Sequence, residues 1–238
     1  MSIAPRLLLI FMLAAVPLAI AGPAQQAPRD VIAVNVLLVP DQQLVASAQE
    51  INHALRQGYP AGFSLDASHV PHVSVLHAYV QSKDLTDVYA AVRTVSLKHP
   101  LVGRQLAVKG LEHKPWGDDS EITNIKVEKV PELEGFQADL LTALSRYLVD
   151  TGDRTAFVTS KEDSEVDRQT IDYVGTFVQK HVGSRFTPHV TVGISDAETA
   201  RQVTAQHVPP AKLTITSVAV FQIGNVGTAR KELWRYSP

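Results

Sequence analysis

Hydrophobic and polar positions divide the chain beyond residue 30 into short elements of two different periods. Residues 31–39 are almost continuous in Val, Ile and Leu, the pattern of a buried strand, and Pro40-Asp41 closes it. Leu44, Val45, Ala48, Ile51 and Leu55 then recur at helical spacing, and Gly58-Tyr59-Pro60 stops that helix. Around Val73 and Val75 the alternation has period two and predicts a strand. Ser82 is placed to cap a second helix, whose buried stripe is Leu85, Val88, Tyr89, Val92 and Val95. Residues 106–111 and 122–130 read as strands joined by a loop over 112–121. Pro131 opens a helix with Leu133, Phe136, Leu140, Leu144, Tyr147 and Leu148 on its inner face. Residues 150–167 are polar, and connections of that length are usually functional or disordered. Ile171, Val174, Val178 and His181 predict a further helix ended by Gly183. A strand at Val190 and Val192, a helix over 196–206, and two strands over 213–223 and 229–236 joined by a hairpin turn complete the order. Each alternating strand lies between two helices, so the pattern predicts an α+β fold of two related lobes whose sheets face one another.

The first residues belong to a different pattern. Arg6 precedes an apolar run over 7–21 that ends in Ala19-Ile20-Ala21, the small-x-small signature of a cleaved export signal. Pro17 interrupts the run, which is short for a membrane span. The expectation is a signal peptide over 1–21, with a second acceptable cleavage point after Ala24, and one bilobal domain over 22–238 without a stable membrane span. The product is then exported, periplasmic or secreted. Retention of the segment as an envelope anchor is the competing reading, and the mature N-terminus decides between them. The chain has no cysteine, so an exported form carries no disulfide and its core stabilises it alone. The formal charge of −2 becomes −3 when Arg6 leaves with the signal. No basic stripe runs along any element, which argues against binding long nucleic acid and leaves a short ligand with one or two phosphates compatible.

The candidate chemistry lies in a repeat. Val70-Pro71-His72-Val73-Ser74-Val75 is echoed by Thr187-Pro188-His189-Val190-Thr191-Val192. On a strand, His72 and Ser74 share one face with Val73 and Val75 on the other, and the second copy behaves likewise. Two imidazoles and two hydroxyls are thus offered side by side. Imidazole titrates near neutrality and serves as acid or base, so two can flank one phosphorus, one activating water and one protonating the leaving oxygen. The hydroxyls can donate to non-bridging oxygens without adding charge. For such division of labour the free protein is expected to hold one imidazole neutral and the other charged.

The two His-hydrophobic-(Ser/Thr)-hydrophobic motifs resemble those of the two-histidine (2H) phosphoesterase superfamily, which includes 2′-5′ RNA ligase and cyclic phosphodiesterase-like members. The resemblance implies a bilobal fold with two antiparallel-type sheets facing a central cleft and helices outside. It implies a metal-independent hydrolase acting on 2′,3′-cyclic phosphate or 2′,5′-linked nucleotides, with His189 as base and His72 as acid, though the residues themselves leave that pair symmetric. Ligation by reversal and a non-catalytic nucleotide-binding protein are the alternatives. Small nucleotides or short oligonucleotides are the expected partners, no cofactor is implied, and a monomer is expected. Ser74 and Thr191 are candidate substrate-binding groups, joined by Arg185, which precedes the second motif, and by Trp116, set in a polar stretch. Phe63, Trp234 and Tyr236 are further rings able to stack a base. Strand parity places His77 and Tyr79 opposite His72, against a metal site built from His69, His72 and His77. His53, His99, His113, His181 and His207 show no partner pattern and read as structural.

Overall fold

The computed structural model describes residues 30–161 and 163–238. The predicted export signal lies outside the described residues. In chain order come β1 (Val31–Pro40), α1 (Gln42–Gly58), β2 (Val73–Gln81), α2 (Leu85–Lys98), β3 (Gln105–Trp116), β4 (Ser120–Val127), α3 (Pro131–Leu144), β5 (Leu148–Val149), α4 (Arg168–Lys180), β6 (His189–Ser195), α5 (Ala197–Gln206), β7 (Lys212–Ile223) and β8 (Ala229–Tyr236). The helix starts follow local chemistry. Asp41, Asp167 and Asp196 accept from the backbone N–H of Leu44, Thr170 and Thr199, each a cap of about 1 kcal/mol, and Pro131 opens α3 without wasting a donor.

All strand pairs are antiparallel. The eight strands form one continuous sheet rather than two separate ones; its more extensive pairings divide it into two sub-sheets, one running β5-β2-β1-β7-β8 and the other β6-β4-β3. They are stitched together at Val73 with Val190, and where Gln105, Leu106 and Ala107 pair with Thr214, Leu213 and Lys212. A continuous core of Val, Leu, Ile and Phe from both sheets and from helices lies behind the strands. The helices cross over. The chain leaves β1 into α1, yet α1 packs behind β6 of the other sheet beside α5; it leaves β4 into α3, yet α3 packs with α2 behind β2.

Several boundaries differ from the sequence reading. Ser82 makes no cap; a single 3₁₀ turn, Ser82–Asp84, precedes α2. The predicted loop over 112–121 is mostly hairpin, because β3 extends to Trp116 and the turn is confined to 117–119, with Gly117 at φ +71°. Tyr147 and Leu148 lie beyond the end of α3, in a 3₁₀ turn and in β5. Val178 faces solvent, the buried stripe of α4 being Thr170, Val174 and Phe177. The 150–167 stretch packs as a cover: Ala156 and Phe157 are buried against Ala33, Tyr79, Val174 and Ile223, and Val158 N–H donates to the Ile223 carbonyl at 2.8 Å. Tyr79 belongs to this cluster, and its hydroxyl donates to the Ile171 carbonyl at 3.0 Å, so its role is packing.

Candidate active site

The two motif strands meet at one residue pair, Val73 with Val190, both fully buried on the core side. Carried one residue either way, that antiparallel register sets His72 opposite Thr191 and Ser74 opposite His189. All four side chains line one cleft of about 680 Å³ of empty space open to solvent. The pseudo-twofold axis runs between the valines, so each imidazole neighbours the hydroxyl of the other copy.

Both imidazoles are held the same way. His72 Nδ1 donates to the Val70 carbonyl at 2.7 Å, and His189 Nδ1 donates to the Thr187 carbonyl at 2.7 Å. A carbonyl only accepts, so each bond fixes the Nδ1–H tautomer and leaves Nε2 as the free, basic nitrogen. The intervening prolines, Pro71 and Pro188, keep the backbone extended and turn those carbonyls back onto the rings.

Immediately after the hydroxyl residue, each motif strand carries a bulge. Leu37 pairs with Ser74 and Val36 with Leu76, leaving Val75 extra; Asn124 pairs with Thr191 and Thr123 with Gly193, leaving Val192 extra. The bulged carbonyls are captured by buried amides from the crossing helices. Gln137 of α3 donates to the Val75 carbonyl at 2.9 Å and accepts from Gly183 N–H. Asn52 of α1 donates to the Val192 and Phe63 carbonyls at 2.9 Å and accepts from Leu65 N–H.

The first bulge overturns a parity argument. Because Val75 adds a residue, the side-chain alternation inverts, and His77 lies on the same side as Ser74, 3.0 Å from its hydroxyl, rather than opposite His72. Asn35 Nδ2 donates to the same oxygen at 2.8 Å. In the second copy, Thr191 Oγ1 donates to Asn124 Oδ1 at 2.9 Å.

Other cleft-lining residues include Phe63, His69, Lys114, Trp116, Tyr173 and His181. Trp116, at the end of β3, meets Tyr173 of α4 edge-on with centroids 6.0 Å apart, closing the hairpin tip against the opposite side of the cleft. His181, read from sequence as structural, packs on Tyr173 and Phe177 and faces the cleft. Arg185 is not among the lining residues: it sits in a 3₁₀ turn after Gly183, exposed, with its guanidinium donating to the Gln179 carbonyl at the end of α4. The lining cation near the second motif is Lys114 instead. Trp234 and Tyr236 stack on one another, and Trp234 on Tyr89 of α2, away from the cleft. Val226, which also lines the cleft, holds a left-handed φ of +58°, a strained conformation for a β-branched residue; Thr170 Oγ1 receives its N–H at 2.9 Å. The cleft continues past Phe63, His69, Trp116 and Val226 into a polar groove bordered by Arg56, Asp163 and Arg230.

Burial controls the titration. It pushes His72 down to about 4, partly offset by the hydrogen bond to Val70 and reinforced by His189. His189 is lowered by burial, with its bond to Thr187 opposing and Lys114 adding repulsion. His77 lies well below its usual value, again through burial first. Burial thus favours the uncharged form of both motif imidazoles, with Glu112 only partly opposing it at His189. Among the described residues, no group of three or more His, Cys, Asp or Glu converges as a metal site, and no helix is long and apolar enough to cross a membrane.

The family model described as the 2′-5′ RNA ligase superfamily matches residues 39–227, a span that includes both motifs. Among curated proteins, no sequence match is found. Among solved structures, the protein TT0787 of Thermus thermophilus shares the fold at TM-score 0.51 and 13% identity, over 87% of this chain and 97% of its own. LigT of E. coli in apo form aligns at TM-score 0.47 and 11% identity over 88% and 98% of the two chains. Usb1 of Kluyveromyces marxianus aligns at 0.40 and 12% over 86% and 98%.

Proposed function

The chain belongs to the 2′-5′ RNA ligase superfamily of 2H phosphoesterases, which includes ligases and phosphodiesterases, and from that membership we propose that it hydrolyses 2′,3′-cyclic phosphates or 2′,5′-linked nucleotides without a metal, using His72 and His189 as the acid–base pair. The observation that carries this reading is the matched tautomer: two Nδ1–H groups tied to carbonyls at 2.7 Å, two Nε2 atoms left free in one cleft.

In this reading the two rings divide the work. One Nε2 takes a proton from water as its oxygen bonds to phosphorus. The other gives a proton to the ribose oxygen as the old P–O bond breaks. The Ser74 hydroxyl donates to a non-bridging oxygen, where charge builds in the transition state, and Thr191 does the same once its proton turns away from Asn124 Oδ1. The acid must be charged, whereas burial lowers the pKa of both rings. A monoanionic phosphodiester supplies the missing partner: its charge raises the pKa of the imidazole beside the leaving oxygen, so substrate and proton enter together. Lys114 adds a positive charge to the same cleft. The cleft is open to solvent and runs on into the adjoining groove, so a ligand held at the histidines can extend along it.

We further propose that the apolar segment over 7–21 directs export and is removed. The deciding screen uses purified mature protein with 2′,3′-cyclic, 3′,5′-cyclic and 2′,5′-linked substrates, in chelator, with the N-terminus read by mass spectrometry. Turnover of the first or third class in chelator supports the reading. Binding without turnover, or turnover restored only by a divalent metal, overturns it. A mature protein that begins at Met1 or Ser2 overturns export.

A further inference from the structure

Ser74 differs from Thr191 in what stands behind its oxygen. A serine hydroxyl has one proton to give and two lone pairs to receive. Asn35 Nδ2 fills one lone pair at 2.8 Å. Asn35 is fully buried and its Oδ1 has no partner; turning the amide over would instead orphan a buried NH₂, the costlier arrangement. His77 Nε2 lies 3.0 Å from the same oxygen, and His77 Nδ1 is buried without a partner. The proton on His77 therefore has two possible seats. On Nδ1 it would be a buried, unpaired N–H, and Nε2 would pull the Ser74 proton away from the cleft. On Nε2 it pairs, and the orphan is a bare acceptor.

The ring cannot easily choose another pose. Tyr173 and Phe177 pack on it with centroids at 5.2 and 5.0 Å. Gly227, at φ +70°, passes so close that an added Cβ would lie 3.3 Å from His77 Cε1. Burial holds His77 well below its usual value, so the ring is neutral. In the second copy the position five residues after the motif histidine is Ile194, so Thr191 has Asn124 behind it and no imidazole. There Asn124 Nδ2 is buried and unpaired; exchanging that amide's ends would pair it to Thr191 and still fill only one lone pair.

We propose that His77 is a positioning residue: by donating from Nε2 it fills, with Asn35, both lone pairs of Ser74 Oγ, so that the single hydroxyl proton is turned into the cleft as a fixed donor for a non-bridging phosphate oxygen. The identity of that acceptor rests on the phosphodiesterase reading; the orientation of the hydroxyl does not.

Two measurements separate the failures. Imidazole ¹⁵N–¹H correlation on the ligand-free, otherwise unaltered protein should show His77 protonated at Nε2 with Nδ1 bare; protonation at Nδ1 overturns the proposal whatever the protein turns over. Kinetics on a 2′,3′-cyclic nucleotide then test the consequence. His77→Phe, which fills the space without a donor, should lower kcat, with the loss bounded by that of one whole oxyanion donor, on the order of 10²–10³, and leave KM nearly unchanged. His77→Gln, whose amide nitrogen can donate in the same direction, should lose much less. In a Ser74→Ala background, His77→Phe should have no further effect on kcat, while in a Thr191→Ala background its loss should persist. An undiminished His77→Phe loss in the Ser74→Ala background, in variants whose thermal unfolding shows them folded, overturns the proposal. Absence of turnover by the unaltered protein refutes the phosphodiesterase reading instead, and the tautomer measurement still decides the role of His77. It also decides that role should His77→Phe fail to fold.

Discussion

On β2 the Ser74 hydroxyl receives a hydrogen bond from Asn35 and lies against His77; on β6 the Thr191 hydroxyl meets Asn124, and Ile194 stands where the first copy has His77. Everything else in the two motifs matches closely. The Nδ1 bonds are both 2.7 Å, the bulges fall on Val75 and Val192, and a buried amide captures each bulged carbonyl. The shared features come from the strand and its own backbone, so a repeated sequence repeats them. The differing features come from what packs on the cleft face: α4, with Tyr173 and Phe177, covers His77, while Ile194 borders the adjoining polar groove. The amides are exchanged between the lobes. Gln137 rides on a helix that leaves β4 of the other sheet, and Asn52 on one that leaves β1, so each lobe braces the bulge of its neighbour.

The histidines should break function most. His72→Ala and His189→Ala should each lower turnover by on the order of 10²–10⁴, and together by far less than the product, since one reaction needs both. Turnover and thermal unfolding on the same variants check this; a folded His189→Ala protein with near-normal turnover would sink the acid–base pair.

The hydroxyls sharpen the contrast between copies. Ser74→Ala and Thr191→Ala should each cost at most on the order of 10²–10³ in kcat, and Ser74→Ala should cost more, because its donor is preset while the Thr191 proton is held by Asn124 Oδ1 and must leave it to reach substrate. Equal losses would remove the functional asymmetry.

The amides should act on stability. Gln137→Leu and Asn52→Leu each strand a bulged carbonyl and a backbone N–H, costing about 1–3 kcal/mol per buried group left unpaired. Asn52→Leu should be the worse, because Asn52 holds three bonds and Gln137 two. Denaturant midpoints at constant slope measure the difference.

The smallest effect is with pH. His72 falls from 6.5 to about 4 on folding. Above 6.5 neither state binds the proton. Between 6.5 and about 4 the unfolded chain binds it and the folded chain does not, so stability should fall across that window and level off below it. His189 is lowered as well and should contribute in the same direction. His72→Phe and His189→Phe should each flatten the dependence. Binding of a nucleoside monophosphate should take up a proton at pH 7, seen by calorimetry in buffers of different ionisation enthalpy; binding without uptake would contradict charging of an imidazole by the ligand.

The sequence alone determined the motif strands, the helices marked by their buried stripes, and the pairing of His72 with His189 as candidate chemistry. These rest on spacing along a few residues, where period-two and helical patterns are local. Tertiary structure decided the rest. A bulge exists only relative to the partner strand's register, so no count along 70–81 shows that Val75 inverts the alternation and carries His77 to the cleft side. The same dependence on distant partners hid the extension of β3 to Trp116 beside Lys114, the turning of Arg185 onto Gln179, the cleft position of His181, and the crossing of α1 and α3 that places Asn52 and Gln137 on carbonyls of the opposite sheet. Local periodicity fixes which way a side chain points within its own element; which surface it then faces is set by long-range packing.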